Sequence, residues 1–259
     1  MKASFAAKYA RTRKILTKRL KVYLKDSNPE NVRSLRIAMR RTRLCIELLP
    51  KKIRKAKATR TFLTSLDESS KANARVRDLD IILSKISTYK HDPSMEGRIS
   101  GIKETRESNL QAARRQTNTL QKEHIPRITE KDLSVPKLQK SLNRTTKQLI
   151  TAINGRLPMV LKNSNNFREL HLLRINCKRL RYLAELFRSK KTARLLLRLR
   201  SWQSQLGFIH DSDLTIDYLR NLGDAPEMQP ILNDLATQRI QRYEKFSSAK
   251  QISPVSFLP

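Results

Sequence analysis

The chain has 259 residues, with 55 Lys and Arg against 23 Asp and Glu, a formal net charge of +32. That length supports a real core in one large domain or two modest ones. The charge destabilises a compact monomer by self-repulsion unless anions sit nearby and points to a polyanion: nucleic acid, a phosphate polymer or an acidic surface. Five Gly and 5% aromatics argue against a turn-rich β protein and for long helices.

Taken in chain order, residues 4–25 read as an amphipathic helix with Phe5, Tyr9, Leu16, Leu20 and Tyr23 near one stripe. Asn28-Pro29-Glu30 is a helix-start signal for a second helix over 29–49, stopped at Pro50. A third helix is expected over 52–72, and a fourth from Val76 to Tyr89, broken at His91-Asp92-Pro93. A long polar helix follows over 95–123. Residues 125–136 are bracketed by two prolines, which places a boundary there between halves 1–127 and 128–259. The second half restarts with a helix over 137–153, ended by Asn154-Gly155. Helices over 166–188, 190–204, 211–221 and 226–247 follow, the last opened by Asp224-Ala225-Pro226. The tail, QISPVSFLP, is a poor helix.

Cys45 and Cys177 fall on apolar helix faces and are expected to be buried free thiols. The N-terminus lacks the apolar run of a signal peptide, and no run reaches the length of a membrane span. A soluble, cytoplasmic protein is the expectation from these features.

Two stretches carry the functional signal. VRSLRIAMRRTR (32–43) holds five arginines and no acid, and LHLLRINCKRLR (170–181) repeats it. Arg33, Arg36, Arg40, Arg41 and Arg43 align with His171, Arg174, Lys178, Arg179 and Arg181 at an offset of 138. Arg77-Asp78-Leu79-Asp80 aligns with His210-Asp211-Ser212-Asp213 at an offset of 133. This is too long a period for a solenoid and reads as one helical unit duplicated, the two units facing each other about a pseudo-two-fold axis. At about 100° per residue, Arg33, Arg36, Arg40 and Arg43 share one arc of their helix. Leu35, Ala38, Met39, Thr42, Cys45, Ile46 and Leu49 lie opposite. In the second copy His171, Arg174, Lys178 and Arg181 oppose Leu173, Asn176, Cys177, Leu180, Leu183, Ala184 and Phe187. The cations recur about every 4–6 Å along the axis, a pitch that suits an extended phosphate chain. Arginine's planar fork grips phosphate oxygens through two bonds. A solvated charged face is the competing reading. Against it, the stripe is free of acids until Glu47 and Glu185, so no internal i,i+4 pairing offsets the repulsion, and it occurs twice.

Asp78/Asp80 and Asp211/Asp213 are read as helix-start caps ion-paired to a neighbouring arginine stripe, with a divalent metal as the alternative. His91, His124, His171 and His210 form no metal-spaced set, so no metal site and no cofactor is expected. An enzyme would need a nucleophile or metal cluster that the sequence does not assemble.

Together, residues 33–43, 77–80, 171–187 and 210–213 resemble the CHAD family, the conserved histidine α-helical domain. LHLLRINCKRLRYLAELF (170–187) carries the strongest likeness: His, then Arg, then Lys-Arg-x-Arg-Tyr, then an acid before an aromatic. The resemblance implies an all-α fold of two four-helix-bundle-like halves around a basic groove. It also implies non-catalytic binding of inorganic polyphosphate, and association with polyphosphate granules. Arg33 stands where the first signature has histidine, which keeps a charged donor but not a titrating one. Members are often fused to a triphosphate tunnel enzyme domain, whose ExExK motif this chain lacks. The alternative function is non-specific RNA or DNA binding. Scarce aromatics for base stacking and the absence of a base-reading motif weigh against it.

Overall fold

The structure, a computed structural model, describes residues 1–89, 93–187, 190–223 and 225–248. Their regular structure is helical, with no strand among the described residues. The helices are α1 (Lys2–Lys25), α2 (Pro29–Glu47), α3 (Lys51–Lys55), α4 (Lys57–Ile86), α5 (Pro93–Lys122), α6 (Val135–Lys162), α7 (Phe167–Leu186), α8 (Lys190–Asn221) and α9 (Gln229–Ser247). The chain forms two compact units. One comprises Met1–Leu83 and Gly97–Leu142; the other comprises Ser84–Glu96 and Asn143–Pro259.

In the first unit α1 buries Phe5, Tyr9, Leu16, Leu20 and Tyr23, the stripe expected from their spacing. The helix α2 begins as its sequence dictates. The Asn28 side chain accepts a bond from the Asn31 amide at 2.9 Å, Pro29 occupies the first turn and Glu30 sits at the positive dipole end. It packs Val32, Leu35, Ala38, Met39, Thr42, Leu44, Cys45 and Ile46 inward, beside α1. The turn after α5 is tied down by Tyr9, whose hydroxyl donates to the Pro126 carbonyl at 2.8 Å.

Three expected breaks are absent. The stretch read as a gap between 72 and 76 is helical, and α4 runs unbroken from Lys57 to Ile86, preceded by the short α3. The polar residues there form a buried layer hydrogen-bonded to α5. Ser69 Oγ meets Thr117 Oγ1 of α5 at 2.9 Å, and Asn73 Nδ2 donates to the Ser69 carbonyl at 2.9 Å and to Thr117 Oγ1 at 3.0 Å. Likewise α8 joins the helices expected at 190–204 and 211–221, because Trp202, Leu206 and Ile209 keep a helical spacing on the buried face. And α6 continues past Asn154-Gly155 and through Pro158, with Ile153, Leu157 and Val160 held in the core on one face. The expected break at His91-Asp92, the Asp224 start signal and the tail at 251–259 lie outside the described residues.

In the second unit α7 packs on α8, and α8 on α9. It buries Leu170, Leu173, Cys177, Leu180, Tyr182, Leu183 and Ala184. Asn176 and Phe187, placed in this arc by their angle, are half-buried instead. Both cysteines are free and fully buried, and burial pushes each thiol up to about 12. No described helix is long and apolar enough to cross a membrane.

Candidate functional site

The cation arc of α2 lies opposite its buried arc. Arg33, Arg40 and Arg43 are exposed, and Arg36 and Arg41 are half-buried. Acids meet the stripe at its two ends: Glu47 was legible in the sequence pattern, whereas the pairings with Glu30 and Asp67 were not. Arg33 pairs with Glu30 at 3.5 Å. Arg43 pairs with Glu47 at 3.5 Å and with Asp67 of α4. Between these ends, Arg36 donates to the Ser70 carbonyl at 3.3 Å. The stripe is therefore partly compensated at its ends.

On α7 the arc is drawn closer to its own unit. His171, Arg174, Lys178 and Arg181 are half-buried and Arg179 is exposed. Arg174 pairs with Asp211 of α8 at 3.5 Å, and Arg181 with Glu185 at 3.3 Å. The Nδ1 atoms of His171 and His210 stand 3.3 Å apart, their rings tilted with centroids at 4.8 Å. One ring must accept while the other donates, so the contact requires at least one neutral imidazole. Burial first, then Arg174, His171 and Lys178, push His210 down to about 3. The counterparts by sequence offset in the first unit are the guanidinium groups of Arg33 and Arg77.

The aspartate motifs divide their work. The second aspartate of each holds an arginine of its unit's last long helix. Arg106 Nε donates to Asp80 at 2.6 Å, and Arg239 Nε donates to Asp213 at 2.7 Å. The same arginines then reach a carbonyl just past the end of the unit's first long helix. Arg106 donates to the Ser27 carbonyl at 3.4 Å, and Arg239 to the Ser164 carbonyl at 2.6 Å. Arg114 adds bonds to the Leu24 carbonyl and to Ser27 Oγ, both 2.6 Å. A guanidinium at a helix C-terminus satisfies orphan carbonyls and meets the negative dipole end. Of the first aspartates, Asp211 faces the α7 stripe through Arg174. Sequence reasoning missed Arg106, Arg114 and Arg239. The signal for two of them was present: Arg106 and Arg239 share the offset of 133 that aligns Asp80 with Asp213.

Among the described residues, no three His, Cys, Asp or Glu side chains converge as a metal site would require. The geometry thus offers two helices with ranks of guanidinium and ammonium groups, each helix braced by buried residues on its other side.

The family model described as the CHAD domain matches residues 8–220. The chain belongs to the CHAD domain family. Its fold is also that of a solved relative. The crystal structure of the CHAD domain from the plant Ricinus communis superposes with a TM-score of 0.61, covering 97% of this chain and 88% of that one at 16% identity. No curated protein matches the chain. The CHAD match runs from within α1 to the end of α8, so it takes in both cation arcs and both aspartate motifs.

Proposed function

We propose that this CHAD chain binds inorganic polyphosphate, without catalysing its turnover, through the basic arcs of α2 and α7. The residues are Arg33, Arg36, Arg40, Arg41 and Arg43 on the first, and His171, Arg174, Lys178, Arg179 and Arg181 on the second. The observation that carries the reading is the pairing of each arc with a fully packed opposite face. The core does not need these cations for burial, and they recur with one spacing on two helices. Charge-assisted bonds from such groups contribute about 1.5–3 kcal/mol each. A long chain that engages both arcs also gains effective concentration from its second contact.

The variant Arg33→Gln, Arg40→Gln, Arg174→Gln, Lys178→Gln tests this. It spares both apolar arcs. Titrated with long polyphosphate at fixed salt, it should remain helical and monodisperse and bind at least tenfold more weakly than wild type. Unchanged affinity would remove the arcs from the site. Competition with RNA of matched charge separates the two polyanions: RNA should displace polyphosphate poorly, and equal displacement would favour nucleic acid as the ligand.

A further inference from the structure

The arcs of α2 and α7 leave the most basic helix unused. Residues 1–25 contain nine Lys and Arg and no acid. Five of them, Arg11, Lys14, Lys18, Lys21 and Lys25, follow one another at steps of three and four residues. With Arg11 as zero they fall at about 0°, 300°, 340°, 280° and 320°, an arc about 80° wide. The buried residues Phe5, Tyr9, Leu16, Leu20 and Tyr23 fall at about 120–180°. All five cations are exposed. The first four repeat the spacing of Arg33, Arg36, Arg40 and Arg43 on α2. The nearest following acid, Asp26, is occupied by the turn: it accepts from the Asn28 amide at 3.1 Å and from Asn28 Nδ2 at 2.7 Å.

A merely solvated helix face mixes its signs, as α5 does with Glu96, Glu104 and Glu107 among its cations. The α1 face does not. It spends like-charge repulsion along a straight line of about 21 Å with no acid on the helix to offset it. We propose that this face is a second track for the same polymer, so that a long polyphosphate chain runs along α1 as well as along the arcs. The proposal rests on the polyphosphate reading. The shape of the face selects the occupant. A narrow, straight row suits a flexible linear polyanion, whereas a duplex curves away from it. Base stacking is not on offer, because the aromatic residues of α1 are all buried. A lipid surface would need apolar side chains to insert, and those of α1 largely form the core.

The test compares two full-length variants with equal charge loss in the same unit. One is Arg11→Gln, Lys14→Gln, Lys18→Gln, Lys21→Gln. The other is Arg60→Gln, Lys103→Gln, Arg115→Gln, Lys122→Gln, which changes exposed cations on α4 and α5. Binding is measured with polyphosphate of about a hundred phosphates across a salt series. The α1 variant should lose at least tenfold in affinity, and its slope of log affinity against log salt should fall by about three. The control should stay within threefold of wild type. If wild type binds and the two variants coincide, the second track is wrong and the arcs stand. If wild type itself fails to bind long polyphosphate, both readings fall together. An α1 variant that loses RNA binding while keeping polyphosphate affinity would overturn the proposal in favour of nucleic acid.

Discussion

The two units hold their frames with the same contact and differ in the chemistry at matching positions of their basic motifs. In each, the second aspartate of a paired motif grips an arginine 26 residues later, and that arginine reaches a backbone carbonyl beyond the first long helix. At the positions aligned by sequence offset the first unit has the guanidinium groups of Arg33 and Arg77, where the second has His171 and His210 in contact. What repeats is the part that holds helices together. What differs is the part whose charge depends on pH. Breaking the frame and titrating the face are therefore separate experiments.

The largest effect should come from the frame, and the units should differ in it. Asp80 is inaccessible at its side chain, whereas Asp213 keeps 19% exposure. Arg106→Met strands a carboxylate in the core, which costs about 3–5 kcal/mol. Arg77, 4.0 Å from Asp80, is too far to replace the lost bond. Arg239→Met leaves Asp213 within reach of water and should cost less, about 1–3 kcal/mol. Burial already raises Asp213 from its ordinary value despite Arg239, so protonation gives it a second escape. Urea unfolding followed by far-UV circular dichroism measures both. Equal losses would show that the two contacts bear the same load.

Much of this frame could be read from the sequence, and its omissions have physical causes. Helices α1, α2, α5 and α7 announce themselves by a cap, a proline or an amphipathic stripe. The stripes of α2 and α7 were legible because a 3.6-residue period puts their charges and their core residues on opposite arcs. The continuity of α4 was not legible, because Ser69 and Asn73 look like solvent-facing punctuation until Thr117 of α5 is brought beside them. The same holds for α6, where tertiary packing overrides Gly155 and Pro158. Of the acids that meet the stripes, Asp211 was legible as a partner of an arginine stripe, whereas Asp67 was hidden because it comes from another helix. A pattern read along one helix does not contain its neighbour's charges.

A smaller effect separates the units by acid stability. His210 keeps its proton off until about pH 3 when folded, whereas an unfolded histidine takes one up near 6.5. Below about 6.5 the unfolded chain therefore binds the extra proton. Stability falls as pH falls, and the loss stops growing only near the folded value. Between pH 7 and 5 this amounts to at most about 2 kcal/mol from this one group. His210→Gln should be less sensitive to acid than wild type by about 1–2 kcal/mol over that interval. The comparison cancels the acid response common to all other groups. Parallel stability curves for the two proteins would mean that His210 is not held neutral in the folded state.

The smallest effect, and the most specific to the difference between the units, concerns ligand affinity. Burial is the largest cause that holds His210 low, and the other three are groups of α7: Arg174, His171 and Lys178. On the proposed polyphosphate reading, an oxygen bound by Arg174 and Lys178 would screen two of them and add a negative charge that favours imidazolium. Around the pair, Asp211 stays beside Arg174, Lys85 feels Asp211, and Arg239 of α9 is engaged with Asp213. Binding should therefore draw a proton onto the histidine pair, and affinity should rise as pH falls from 8 to 6, by about threefold. Nothing comparable is available to Arg33 and Arg77. Replacing His171 and His210 by arginine gives the second unit the fixed charge of the first, so this variant should bind with a flat pH profile over the same interval. Calorimetric titrations in two buffers of different ionisation enthalpy count the protons directly. Wild type should take up a fraction of a proton per binding event at pH 7, and His171→Arg, His210→Arg should take up none. If the variant's pH profile runs parallel to wild type and the proton counts agree, the histidine pair is a packing contact, and the two units present the ligand with the same chemistry after all.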